Sequence, residues 1–308
     1  MPINTGSNPK LLYPGLNTIY GIKYSEKPKQ CDQIFETRKT TRAYEEDLGM
    51  TGFGLASIKT EGNGVVYDTE QQGFLTRYTP VVWAMGFIIT EENMDDDLYD
   101  TIGSRRTEGL AYSMRQTEEI VAANVLNRAF NTSYVLGDSA TLVASAGGGG
   151  SASRANVSGG TWTNGVATAT DLSELALEQA KIDIDDYRDD RGKRIQANIK
   201  QLVIASSNQF EAERILESRL RPGSAENDVN AIYTMGTIPK VVVNNYLTDA
   251  DAWFIQTDIP NGLMKMERKA MAFTMDNDFD TSNAKFKVQH RYAVGATDPR
   301  CIYGSPGA

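Results

Sequence analysis

The chain holds a single histidine, His290, and two cysteines, Cys31 and Cys301, among its 308 residues. These are the side chains that most often serve as base, nucleophile or metal ligand, so their scarcity limits the chemistry at once. A nucleophilic triad needs an imidazole, or a substitute base, beside the nucleophile. His290 instead shares one side of an alternating run with Phe286 and Tyr292, the setting of a structural histidine. Zinc sites draw on clustered Cys and His, which this chain cannot supply. Two cysteines at opposite ends make no disulfide framework and fit a reducing cytoplasm.

Carboxylates are the other candidates. Asp276, Asp278 and Asp280 spell D-x-D-x-D, the opening of a calcium loop. Thr281 then stands where glycine is required and Lys287 where the closing glutamate belongs, so a surface turn is expected. Asp95, Asp96 and Asp97 lie where negative charge favours a helix N-terminus. The glycine run Gly147–Gly150 is followed by no lysine, and no G-x-G-x-x-G joins a strand to a helix, so no phosphate cradle is expected. Acids lie on every polar face, and no pair stands out for acid–base work. No catalytic residue, metal or cofactor is expected.

The longest helical signal runs over 91–130, with Leu98, Ile102, Leu110, Met114, Val121 and Val125 on one side. Thr90 can cap it, and Asn131 suits a left-handed stop. Before it, residues 1–48 show little periodicity and four prolines, Pro2, Pro9, Pro14 and Pro28. Lys10, Lys23, Lys27, Lys29, Arg38, Lys39 and Arg42 make this segment basic, and an extended arm is expected. Residues 49–79 predict a large hairpin, with strands over Gly54–Lys59 and Val65–Asp68 about an Asn-Gly turn and a further strand over Gly73–Tyr78. Asp68, Glu70, Gln71 and Gln72 make it too polar for a core, and a two-stranded ribbon is marginal in water unless something covers it. Pro80–Thr90 predicts a strand buried on both faces.

Residues 132–170, rich in glycine and serine, predict a mobile loop. A second helix is expected over Asp171–Tyr187, capped by Asp171 with Glu174 and striped by Leu172, Leu175, Ala176, Ala180 and Ile184. Gln201–Ala205 reads as a strand. A helix capped by Ser207 follows to Leu220, with Phe210, Ile215 and Leu216 as its contacts. Strands follow over Pro239–Leu247, Ala252–Ile255 and Leu263–Phe273. Ala284–Val294 has strict alternation, Phe286, Val288, His290 and Tyr292 against Lys285, Lys287, Gln289 and Arg291. A terminal strand closes at Cys301–Tyr303.

Net charge is −9 and mean hydropathy −0.40. The charge argues against a dedicated nucleic-acid binder. No apolar run approaches bilayer length, so no membrane partner is expected, and MPINTGSNPK lacks the apolar core of a signal peptide.

The order of these elements, together with T-D-L-S at 170–173, D-D-R-G at 189–192, QLVIASSNQFEAERIL at 201–216, A-E-N-D-V-N at 225–230, L-T-D-A-D-A-W-F at 247–254 and G-A-T-D-P-R-C-I-Y-G-S at 295–305, resembles the major capsid proteins of tailed phages. The likeness covers about residues 50–305, and its C-terminal half resembles the Mu-like major head subunit branch and its relatives. One departure is Leu142-Val143-Ala144-Ser145-Ala146, where relatives often place a His-Pro pair.

The resemblance implies an α+β chain of the Hong Kong 97-type capsid fold. Residues 1–48 would be an N-terminal arm. Residues 49–79 would be an extended hairpin loop lying over the neighbouring subunit. Residues 80–169 would form a peripheral domain with a spine helix over 91–130. Residues 170–275 would form an axial domain, and 276–308 would return to the peripheral sheet.

The implied function is a virion shell of hexamers and pentamers around double-stranded DNA, bound without sequence specificity and assembled in the host cytoplasm. A separate scaffolding protein, a portal protein and a decoration or cement protein are the implied partners. Contacts between subunits would fall on Arg38, Arg42, Lys59, Tyr67, Phe74, Arg77, Tyr78, Arg105, Arg106, Arg221, Asn227 and Asp228. Some relatives crosslink through a loop lysine; Lys59 lies in that region, but nothing near it identifies a partner. Two other functions compete: an encapsulin-like compartment carrying enzyme cargo, and a metal-dependent hydrolase using the acidic loops.

Overall fold

A computed structural model of the protein describes residues 9–95, 99–157, 159–221, 228–278 and 282–308. In chain order the elements are α1 (Pro9–Ser25), α2 (Cys31–Ile34), β1 (Glu36–Lys39), β2 (Glu45–Met50), β3 (Gln72–Tyr78), β4 (Val81–Ile89), α3 (Glu91–Asp95) and α4 (Tyr99–Asn127). Then come β5 (Arg154–Ala155), β6 (Thr161–Trp162), α5 (Glu174–Asp185), β7 (Ile199–Ile204), α6 (Gln209–Glu217) and α7 (Ala231–Met235). The last strands are β8 (Val241–Val243), β9 (Trp253–Thr257), β10 (Leu263–Asn277), β11 (Ala284–Ala296) and β12 (Ile302–Ser305).

Two four-stranded sheets organise the chain, β1-β10-β11-β4 and β12-β9-β7-β8. In the first, β10 and β11 form a long antiparallel hairpin, β4 pairs antiparallel with β11, and β1 adds a short parallel edge. The alternation read over Ala284–Val294 is real: Phe286, Val288, His290 and Tyr292 are buried. Phe286 and Val288, with Trp83, Phe87 and Phe273, meet Leu110, Ala111 and Met114 of α4 and Leu16 and Tyr20 of α1. Helices therefore cover one face of this sheet. In the second sheet α5 packs Leu177, Ala180 and Ile184 against Leu202, Ile204, Trp253 and Tyr303. Ser173, not Asp171, caps α5 by accepting the Ala176 N–H at 3.3 Å. Leu175 and Phe210, expected as core contacts, are exposed.

Other expectations need correction. Among the described residues of the segment read as an extended arm, 9–48, α1 is a 17-residue helix that runs through Pro14; residues 1–8 lie outside the described residues. Proline forfeits one intrahelical bond, and the docking of Leu16 and Tyr20 onto α4 outweighs it. The helix read over 91–130 is described as α3 and α4; Asp96, Asp97 and Leu98 lie outside the described residues. At about 1.5 Å per residue, α4 alone is about 43 Å long. Gly54–Lys59 and Val65–Asp68 are not strands; the ladder lies further back, between β2 and β3. β4 is not buried on both faces, since Val82 and Ile88 keep 54% and 49% of their surface. Nor do the expected boundaries hold at two strands. Most of β10 falls in the segment read as axial, yet it pairs with β1 and β11. β12 falls in the return segment, yet it pairs with β9. Tight hairpin pairing carries β10 with β11, and β12 is buried at every position.

The glycine-rich segment is packed rather than loose. Leu142, Val143 and Ala144 are buried between the two sheets. Asn164 accepts the Ala144 N–H at 2.8 Å and donates to the carbonyls of Leu142 and Ile302 at 2.9 and 3.1 Å. Arg154, fully buried, forks onto both oxygens of Asp138 at 2.8 and 3.0 Å and donates to the Thr141 and Leu142 carbonyls. Glycine serves close approach here: a Cβ on Gly150 would stand 2.7 Å from the Phe130 carbonyl oxygen. Because breaking a buried charge pair strands the remaining charge, Arg154→Ala should lower unfolding free energy by about 3 kcal/mol or more, read as a shifted urea midpoint with unchanged slope.

Candidate inter-subunit surface

Residues 51–70 leave the β2–β3 ladder and form no strand of their own. They are rich in residues that favour strands, yet Leu55, Ile58 and Tyr67 are 85%, 95% and 91% exposed. Past the ladder the chain is tied at Thr51, whose N–H donates to the Gln71 carbonyl at 3.0 Å. At the tip Asn63 folds back on Thr60, with Gly62 at a φ of 85°. This is an apolar–acidic excursion, carrying Glu61, Asp68 and Glu70, with no core of its own.

Among the described residues, the face of the first sheet turned away from α1 and α4 is exposed over its upper part. Register fixes its residues: Val82, Ala84 and Ile88 of β4 lie beside Arg291, Gln289 and Lys285 of β11, and Lys287 stands opposite Thr274 of β10. The result is an apolar stripe beside a basic one in an acidic protein. Lower down, Tyr78 covers Met264, Met266 and Ala293 on this same face.

The expected contact residues divide accordingly. Lys59 and Tyr67 stand exposed on the excursion, and Phe74 is part-exposed near its root. Arg77 stacks on the Tyr44 ring at 3.8 Å. Arg38 donates to Asn261 at 2.9 Å, and Arg42 pairs with Glu45 at 3.6 Å. Arg105 is exposed on α4, whereas Arg106 donates to the Ile88 carbonyl at 2.8 Å. Arg221 pairs with Glu174 at 3.2 Å, and its N–H donates to the Asp228 carbonyl at 2.9 Å. Asn227 lies outside the described residues. Tyr78 is 3% exposed with its hydroxyl 2.7 Å from Thr297 Oγ1, so it serves its own subunit.

The sequence reading missed the charges beneath this surface. Glu118 of α4 and Lys265 of β10 form a buried ion pair, and Lys29 at 3.1 Å and the Tyr24 hydroxyl also bond Glu118. Burial alone would raise the Glu118 pKa. The charge and hydrogen bond of Lys265, the Tyr24 hydroxyl and Lys29 outweigh it and pull it to about 2. Next to it Glu119 accepts the N–H groups of Gln30 and Cys31, both at 2.8 Å. One signal was present: Glu118 falls four residues after Met114, where the apolar stripe calls for an apolar side chain.

The candidate chemistry sorts just as plainly. His290 is buried, its pKa lowered by burial and only partly restored by Glu267. Neutral at pH 7, it donates Nε2–H to Glu267 at 3.0 Å. Both cysteines are free and buried, and burial pushes their thiols up, which removes them as nucleophiles. Cys31, Asp32 and Glu118 approach one another, but the Glu118 oxygens are already engaged by two lysines and a tyrosine. Asp278 pairs with Lys285 at 2.5 Å; Asp280 lies outside the described residues.

The sequence model of a family described as phage capsid protein matches residues 74–305. No curated protein sequence matches the chain. Among solved structures, Microbacterium phage Oxtober96 superposes with a TM-score of 0.52 at 11% identity, covering 92% of this chain and 93% of that one. The virus-like particle from Pyrococcus furiosus gives 0.51 at 10% identity, covering 95% and 98%. The capsid of an empty GTA particle gives 0.50 at 16% identity, covering 92% and 91%. At such identities the superpositions establish a shared fold.

The Glu118 environment fixes an acid response. Its folded pKa of about 2 lies below the reference 4.5, so its contribution is complete above about pH 4.5 and lost as pH falls toward 2. Urea unfolding across that range should show a steeper loss of stability in the wild type than in Glu118→Gln.

Proposed function

Because the chain belongs to the phage capsid protein family, we propose that its copies close into hexamers and pentamers of an icosahedral shell around double-stranded DNA. The protein is a structural subunit of the virion capsid, not an enzyme. The observation that carries the assembly reading is the mismatch within one subunit: among the described residues, an apolar–acidic excursion stands exposed beyond its root, and an apolar–basic sheet face stays exposed over its upper part. A second copy answers both. A loop on one patch meeting a face on another is a head-to-tail contact, and such contacts close into rings.

In this reading residues 49–79 lie over the neighbour, the first sheet and α4 form the peripheral part, and the second sheet with α5, α6 and α7 forms the axial part near the capsomer centre. The residues before β2 act as the N-terminal arm, folded back along α4. A net charge of −9 suits a wall that must not grip the phosphates of DNA being packed. Assembly in the host cytoplasm with a separate scaffolding protein and a portal, and cover by a decoration protein, extend the reading from the family to its partners.

Negative-stain electron microscopy of the purified protein, alone and with scaffolding candidates, should show shells, tubes or six-fold rings. A uniform population of small globular particles under every condition would overturn the reading. Charge tests the contact itself. Lys285→Glu with Lys287→Glu should cut the assembled fraction about tenfold, and adding Glu61→Lys with Glu70→Lys should restore it, measured by sedimentation velocity.

A further inference from the structure

The helix α5 ends at Asp185 with Asp186 as its cap, so the D-D-R-G turn beyond it does not stop the helix and has a task of its own. Its backbone is braced first. The Asp189 carboxylate accepts the N–H groups of Arg191 and Lys193 at 2.9 and 2.8 Å, the Asp189 N–H donates to the Lys193 carbonyl at 2.8 Å, and Gly192 takes the positive φ that closes the loop. The turn also stands on a fixed base. The buried Arg300 side chain bonds Asp190 at 2.7 Å and the Arg188 carbonyl at 2.9 Å, and Asn156 donates to the Asp189 carbonyl at 3.2 Å.

From this base two cations reach the excursion. Arg191 pairs with Asp68 at 2.8 Å and donates to the Thr69 carbonyl, while Lys193 donates to the Phe53 carbonyl. Asp68 in turn accepts the Gly54 N–H at 2.7 Å, tying the outgoing leg to the returning one. Hydrogen bonds from the Gly54 backbone and Arg191 hold its carboxyl below the usual aspartate range. The β2–β3 ladder and the Thr51–Gln71 bonds stop short of these residues. Among the described residues, then, these contacts are the last attachment of the excursion to its own subunit before its exposed tip.

We propose that the Asp189–Lys193 turn is a bracket that sets the bearing of the 51–70 excursion, with Arg191 as its main positioning residue for subunit assembly. The proposal rests on the shell reading for its consequence but not for its geometry. A chain free to swing at residues 53 and 69 spreads its tip over many directions. Each neighbour must then freeze it on docking, at an entropic cost. The bracket meets that cost within the subunit. It is an exposed ion pair backed by carbonyl bonds, so salt loosens it without unfolding either sheet.

The test uses the buried state of both native cysteines, which leaves introduced thiols the only accessible ones. Spin labels at Asn63→Cys and Glu213→Cys report the tip against the second sheet, with labelled chains diluted in unlabelled protein. The distance distribution should be narrow in the parent, at least twofold broader in Arg191→Gln, narrow again in Arg191→Lys, and unchanged in Arg194→Gln, whose partner is Asp186 at 2.7 Å. Arg191→Gln should keep the parent's unfolding midpoint while its assembled fraction drops about tenfold. An unbroadened distribution in the double variant Arg191→Gln, Lys193→Gln overturns the bracket. Broadening without loss of assembly overturns its role in assembly. A parent that forms no particles under any condition counts against the shell reading alone, because the spin-label comparison still decides the bracket.

Discussion

The first sheet, α4 and the N-terminal segment all hang on taking two charges out of water together. Glu118 and Lys265 are both buried, one on the long helix and one on the central hairpin. Desolvating such a pair is expensive, and the return depends on complete geometry. The chain completes it by bringing Tyr24 and Lys29 to the same carboxylate and by placing the Gln30 and Cys31 N–H groups on Glu119. Helix, sheet and N-terminal segment are thus held by one knot, and none can shift without stranding a charge. This explains why residues that look like a loose arm fold back along α4 and continue into β1 at the sheet's edge.

A second polar knot does the same work between the sheets. Arg154 and Asn164 hold backbone carbonyls and N–H groups that the irregular glycine-rich path would otherwise leave buried and unpaired. Fully satisfied polar networks of this kind fix one path through a core where apolar packing alone would accept several. The C-terminal turn joins the arrangement through Arg300, so the two sheets, the insert and the end of the chain settle as one unit.

These knots also mark what the sequence could and could not disclose. Periodicity exposed β11 and most of α4, because a one-sided core leaves an alternating or helical trace. It misread β4, whose apolar residues were taken for two buried faces. One of those faces is apolar and exposed, and a sequence pattern does not say whether the cover is another strand or another molecule. Composition misread the glycine-rich segment for the complementary reason. Gly150 is there because backbone passes close to backbone, not because the chain is free, and only tertiary contacts separate the two cases. The excursion was legible as too polar for a core but not in its pairing, since its strand-forming residues find no ladder among the described residues. Glu118 was legible in principle, as an acid standing in an apolar stripe. Lys265 and Arg191 were not, because a lysine in a mixed strand and an arginine in a turn have no local signature of the carboxylate they meet across the fold.

The division of labour between buried and exposed charge follows from these facts. Where subunit integrity is at stake the pairs are dry: Glu118–Lys265 and Arg154–Asp138 have almost no surface, and salt screens them little. Where the excursion is aimed, the pair is partly wet: Arg191 and Asp68 keep 21% and 41% of their side-chain surface. A shell subunit has to stay folded as a free chain in the same solution in which its contacts with neighbours must form, be tested and sometimes break. Placing the strong, unscreened interactions inside and the weak, screened ones at the root of the reaching loop separates those two demands. Conditions that loosen the loop then leave the fold intact, and the contact between subunits can be corrected without unfolding the subunits that make it.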